Sequence, residues 1–165
     1  LESLSIEDLS DFDECLQGIS ELILINNAGV ISPITSHKEC DIGRFKRAVN
    51  INFMSPVILI NKILQLVRKV QVINISTGAT DTPIPFWGGY CSTKAAMAMF
   101  LNVLALEDNL DVINYDPGVM DTKMQSEIRQ SAKVYCELKG FDTLHQNGEL
   151  QTPSQVAKKI CDLIK

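Results

Sequence analysis

Aromatic residues make up only 6% of the 165 residues, with one tryptophan and two histidines. The histidines, His37 and His145, stand apart from each other and read as solvent-facing or structural rather than as metal ligands. The five cysteines are odd in number and scattered at 15, 40, 91, 136 and 161, with no CxxC pair. That spacing argues against a disulfide framework or a zinc site and suits reduced thiols in the cytoplasm. No excess of positive charge exists: 15 basic against 20 acidic residues leave −5, which argues against nucleic acid as a partner. Long hydrophobic runs are also missing. The longest, Pro56 to Val67, is broken by Asn61, Lys62 and Gln65, so no membrane span is expected. The opening LESLSIEDLSDFDE lacks both the basic and the apolar part of a signal peptide. Because it starts on leucine, the chain reads as part of a longer one. What remains, 45% hydrophobic and 21% charged residues without repeats, is the composition of a core-forming protein of one domain, 1–165.

Three short runs rich in branched residues predict strands: Leu22–Ile25, Val70–Ile75 and Val112–Tyr115. Each closes in turn chemistry, at Asn26–Gly29, Ser76–Gly78 and Asp116–Gly118. Between them apolar residues recur every three or four positions, predicting helices over Arg44–Arg68 and Tyr90–Asp108. In the second of these Ala95, Ala96, Met99, Val103 and Leu106 form one stripe. A last helix over Pro153–Ile164, capped by Thr152, is expected to turn Val156, Ala157, Ile160, Leu163 and Ile164 inward. The alternation implies parallel strands with crossover helices on both faces.

The run LILI shows no polar alternation, which predicts a strand covered on both faces in the middle of a sheet. Three parallel strands alone would leave a long apolar edge. The expected fold is therefore α/β, a doubly wound Rossmann-type parallel sheet represented by its middle and later part.

The strongest chemical signal is Tyr90-Cys-Ser-Thr-Lys94. Residues four apart share a helix face, so phenol and ammonium can meet over one spot. A neighbouring Lys⁺ is expected to lower the phenol pKa and make Tyr90 a usable acid or base. The hydroxyls of Ser76 and Thr77 stand at the end of the second strand, where open α/β sheets place their ligands. Phe86, Trp87, Met124 and Gln125 are candidates to line a substrate site, with core packing the competing role for Trp87. Cys91, beside Tyr90, reads as a small buried thiol.

In combination, INNAG (25–29), AVNINF (48–53), INIST (73–77), YCSTK (90–94) and YDPGVMDT (115–122) resemble the short-chain dehydrogenase/reductase family over nearly the whole chain. Within it the chain looks most like the sepiapterin reductase and benzil reductase group, through PFWGGYCSTKAA and ALEDNLDVINYDPGVMDTKMQ. The resemblance implies an NADP-dependent carbonyl reductase acting on a small carbonyl substrate. Tyr90 would be the proton donor, Lys94 its partner, and Thr77 or Ser76 the substrate-orienting hydroxyl, with Thr77 favoured by its spacing to Tyr90. Asn52 would support a water linking Lys94 to solvent. Asn27, Ala28 and Gly29 would line the adenine-side ribose, and Pro117, Gly118, Val119 and Thr122 the nicotinamide amide. The two long helices resemble those the family uses for a homodimer.

The chain departs from that pattern by having no glycine-rich TGxxxGxG turn, which in the family brings backbone N–H groups onto the pyrophosphate. The residues that choose NADP over NAD are absent with it. A silent binding or regulatory module, or a reductase of other ketones or acyl groups, is the alternative reading.

Overall fold

Branched residues at alternate positions build three strands, β1 (Glu21–Asn26), β2 (Lys69–Ile75) and β3 (Asp111–Tyr115). The computed structural model describes residues 9, 11–107 and 110–164. The strands pair in parallel in the order β1-β2-β3, each one residue longer at its start than the apolar runs suggest. The register sets Asn26, Asn74 and Asn114 side by side. Their amides link across the sheet, Asn26 Nδ2 donating to Asn74 Oδ1 (2.9 Å) and Asn74 Nδ2 to Asn114 Oδ1 (2.8 Å). This row satisfies polar groups that would otherwise be costly to bury.

A short helix, α1 (Phe12–Leu16), precedes β1. Parallel neighbours need crossovers, and helices supply them. Between β1 and β2 the chain runs through α2 (Ile42–Val49), a π-helical turn (Asn50–Met54) and α3 (Ser55–Leu66). Asp41 starts that run, its carboxylate accepting from the N–H groups of Gly43 and Arg44. By length and composition alone the run from 42 to 66 is apolar enough to cross a bilayer, contrary to the expectation from its broken apolar stretch. In the fold, its Ile60 and Ile63 are buried against the sheet.

Between β2 and β3 stands α4 (Gly88–Glu107); Asp108, the expected last residue of that helix, lies outside the described residues. Its buried side is Tyr90, Thr93, Lys94, Met97 and Leu101. The stripe of Met99, Val103 and Leu106 faces outward instead, Leu106 being 88% exposed. Helix packing chose the face, because both stripes are apolar and periodicity alone does not separate them.

Two further expectations are corrected. Both crossover helices lie on one face: α3 and α4 pack together onto Val70 and Val72, with Leu22, Leu24 and Val112 beside them. Consecutive strands laid down in one direction by crossovers of one hand require this. And among the described residues β1 is an edge strand, with Ile23 and Ile25 41% and 44% exposed, whereas β2 is the covered central one.

After β3 come α5 (Lys123–Ala132), α6 (Lys139–Gln146) and α7 (Pro153–Cys161). Thr152 caps α7 in a reciprocal capping box with Gln155. The helix is shorter than expected. Val156 is buried and Ile160 and Leu163 half-buried, but Ala157 and Ile164 are exposed, since the helix ends before its apolar stripe closes. Beyond its end, the Leu163 carbonyl accepts from Gln71 Nε2 of β2 (3.5 Å).

Candidate active site

The carboxyl ends of the three strands open into one cleft of about 460 Å³. Because all strands are parallel, the loops after Asn26, Ile75 and Tyr115 must emerge on the same side. The cleft takes Asn27 and Gly29 from the first loop, Ser76 and Thr77 from the second, and Pro117, Gly118, Val119 and Thr122 from the third. Helix α4 adds Tyr90 and Lys94, and α5 adds Met124 and Gln125. Trp87 lines it as well. Ala28 and Asn52, expected in the same site, are not in the wall.

Tyr90 and Lys94 are both buried, a helical turn apart on the inner side of α4. Lys94 Nζ stands 5.8 Å from the centre of the Tyr90 ring and donates to the Ile75 carbonyl at the end of β2 (2.7 Å). This geometry corrects the expected electrostatics. Burial raises the Tyr90 phenol above its usual value, with Asp116 and Cys91 adding to the rise and a side-chain hydrogen bond to Thr77 opposing it. Burial also lowers Lys94, to about 8. Removal from water dominates at both groups, and the ammonium is aimed at a carbonyl rather than at the phenol oxygen.

Of the two candidate hydroxyls, the one that acts on the Tyr90 phenol, opposing the rise that burial causes, is that of Thr77. Its backbone is extended, and its Oγ1 also accepts from Ala79 N (3.3 Å), which starts the tight turn Gly78–Thr80. Ser76 lines the cleft one residue earlier, its own N–H donating to the Tyr115 carbonyl (2.7 Å).

Asn52 sits behind the wall in the π-helical turn. Its Oδ1 accepts from Val30 N (2.8 Å), and its Nδ2 donates to the Val30 carbonyl (2.9 Å) and to Thr93 Oγ1 (3.1 Å). It thereby ties the loop after β1 to α4. A Cβ placed on Gly29 would lie 3.7 Å from both Asn52 Oδ1 and Lys94 Nζ, so the three groups converge on one point. A π-turn widens the helix by one residue and re-aims a side chain, a device frequent at functional sites.

The far wall is aromatic. The Trp87 ring meets Tyr90 edge-on at 5.7 Å and stacks on Phe141 at 5.2 Å. Trp87 thus fills both roles considered for it, packing and lining. Phe86 is not in the wall: its ring stacks on Tyr135 at 4.0 Å, from a backbone φ of +69° that a bulky residue rarely adopts. Sequence reasoning missed Ile31, Ile84 and Phe141 as lining residues, and no local pattern marks them. It also passed over Asp116, although that residue lies inside the quoted YDPG.

A model of the short chain dehydrogenase family matches residues 8–133. The benzil reductase ((S)-benzoin forming) of Bacillus cereus is 34% identical, over 99% of this chain and 73% of its own length. Bovine sepiapterin reductase is 31% identical over 90% of this chain, which spans 59% of it. Among solved structures, the KRED1-Pglu enzyme superposes with a TM-score of 0.84 at 29% identity, covering 96% of this chain and 68% of that one. The chain belongs to the short-chain dehydrogenase family.

Proposed function

We propose that the full-length protein carrying this sequence is an NADP-dependent carbonyl reductase of the benzil or sepiapterin reductase type. The observation that carries this reading is the convergence of Thr77, Tyr90 and Lys94 on one largely apolar cleft, with Tyr90 and Lys94 buried a helical turn apart.

The residues present fit the nicotinamide–ribose half of a dinucleotide. Lys94 donates one hydrogen bond, to Ile75, and an ammonium has three to give, which leaves donors for ribose hydroxyls. Gly29, bare of a side chain, leaves the space in front of that ammonium open. Gly118 turns the chain at φ +71°, so the loop after β3 presents main chain to the cleft. In this reading Asn27, Ala28 and Gly29 hold the adenine-side ribose, Lys94 the nicotinamide ribose, and Pro117, Gly118, Val119 and Thr122 the amide. The cofactor, when bound, supplies a hydride to the carbonyl carbon.

The chain's own residues handle the oxygen. Thr77 and Tyr90 donate to it and stabilise its developing charge. Tyr90 gives up its proton, and its raised pKa keeps that proton in place at neutral pH until the alkoxide forms. Lys94, near 8, remains charged at neutral pH, balances the phenolate left behind and is a ready proton source. Asn52 acts as a positioning residue that holds the loop of Gly29 against α4 and supports a water behind Lys94. Trp87, Phe141, Met124 and Gln125 suit a flat aromatic or cyclic dicarbonyl. The outward apolar stripe of α4 supports a homodimer, and the scattered unpaired cysteines support a cytoplasmic location.

The test is NADPH oxidation by the full-length protein with benzil. Tyr90→Phe is expected to lower kcat/KM by about 10²- to 10⁴-fold with an unchanged circular dichroism spectrum. Wild-type turnover in that variant overturns the assignment.

A further inference from the structure

Of the described residues lining the cleft, only Lys94 and Asp116 carry charge. Lys94 is 7% exposed, and its ammonium is engaged with the Ile75 carbonyl. Asp116, at the end of β3, is exposed to solvent. Its carboxylate is held in place on one side, where Oδ1 accepts from Gly118 N (2.8 Å). The other oxygen, Oδ2, stands 3.5 Å from where a Cβ on Gly78 would lie. It therefore faces the loop that carries Thr77, across the gap between β2 and β3. The charge reaches the reacting group as well, since Asp116 is among the causes that raise the Tyr90 phenol, after burial and against the Thr77 hydrogen bond.

A fixed carboxylate beside an apolar cleft repels an incoming anion more strongly than the same charge on an open surface, because low-dielectric walls focus its field. The chain's overall charge of −5 works in the same direction. Resting on the carbonyl-reductase reading above, we infer that Asp116 is a specificity-determining residue: its carboxylate turns away anionic carbonyl compounds, such as 2-keto acids, and reserves the cleft for neutral ketones and dicarbonyls.

The experiment compares two substrates of similar shape, neutral 1-phenyl-1,2-propanedione and anionic phenylglyoxylate. It reads the ratio of their kcat/KM values with NADPH in the full-length wild type, Asp116→Asn and Asp116→Glu. Asparagine keeps an acceptor for the Gly118 N–H, so the turn after β3 persists. At low salt Asp116→Asn is expected to shrink the preference for the neutral substrate by about three- to tenfold. Asp116→Glu is expected to keep it, and raising the salt is expected to weaken it in the wild type, because exposed charges are screened within about 10 Å at 0.1 M. An unchanged ratio in Asp116→Asn at low salt overturns the inference while leaving the reductase reading intact. A wild type that reduces neither compound overturns both.

Discussion

Among the described residues there are two hydrophobic clusters, and they are built of different material. The cluster under the sheet is aliphatic: Leu16, Ile60, Ile63, Val67, Val70, Val72, Met97, Leu101 and Leu110, drawn mainly from β2 and the long helices. The cluster beside the cleft gathers Ile31, Ala79, Trp87, Tyr90, Ile128, Ala132 and Leu138, from loops, turns, the start of α4 and the later half of α5. In the second, polar atoms go unmet. The indole N–H of Trp87 and, in the cleft wall beside it, both amide atoms of Gln125 are buried without a hydrogen-bond partner, whereas the sheet has one such atom, Gln71 Oε1, outside its aliphatic cluster. Tyr90 and Lys94 are held away from water with their pKa values displaced in opposite directions. The first region uses burial for stability; the second tolerates dehydrated polar groups, which are costly. A family site that must take up a polar ligand has a physical reason to hold such groups ready.

The comparison makes predictions that break or sharpen it. The largest effect is expected in the sheet cluster. Leu101→Ala, at a fully buried position, is expected to lower unfolding free energy by about 2–5 kcal/mol, read from denaturant melts.

The site cluster is expected to respond with the opposite sign. Lys94→Met is expected to raise stability at pH 7 by about 1–3 kcal/mol, because it removes a buried charge, while abolishing turnover. The pH dependence identifies the cause. With a folded pKa near 8, below its value of 10.5 in the unfolded chain, Lys94 binds fewer protons when folded between those limits. Wild-type stability is therefore expected to climb as pH rises from about 8 toward 10. Tyr90, raised when folded, works against that climb beyond pH 10, where the unfolded tyrosine ionises first. In Lys94→Met the climb should vanish. A variant that melts lower at pH 7 would show that the ammonium's bond to Ile75 outweighs its dehydration.

The smallest effect belongs to neither cluster. Thr152→Ala removes the cap of α7, with the Thr152 Oγ1 acceptor for Gln155 N (3.3 Å), and is expected to cost about 1 kcal/mol without a change in kcat.

Much of the fold was legible locally. Strand runs, turn chemistry and the Thr152 cap are short-range features, and each predicted strand forms within one residue of its expected bounds at either end. The Tyr90–Lys94 spacing was legible for the same reason, since four residues of helix place two side chains on one face. Which face of α4 turns inward was not. Met97 and Leu101 compete with Met99, Val103 and Leu106, and only the neighbouring sheet and α3 decide between them. Phe141 likewise reaches the cleft from a helix some fifty residues beyond Trp87, with no local mark.

The sequence by itself determined the alternation of strands and helices, the polar loops at three strand ends and the residue types able to move a proton. Tertiary structure alone decided the row of Asn26, Asn74 and Asn114, the turn of Asn52 toward Val30, and the aim of Lys94 at a carbonyl. It also decided the sign of the shift at Tyr90. Dehydration depends on everything packed around a group, and no spacing of two residues along one helix contains that information.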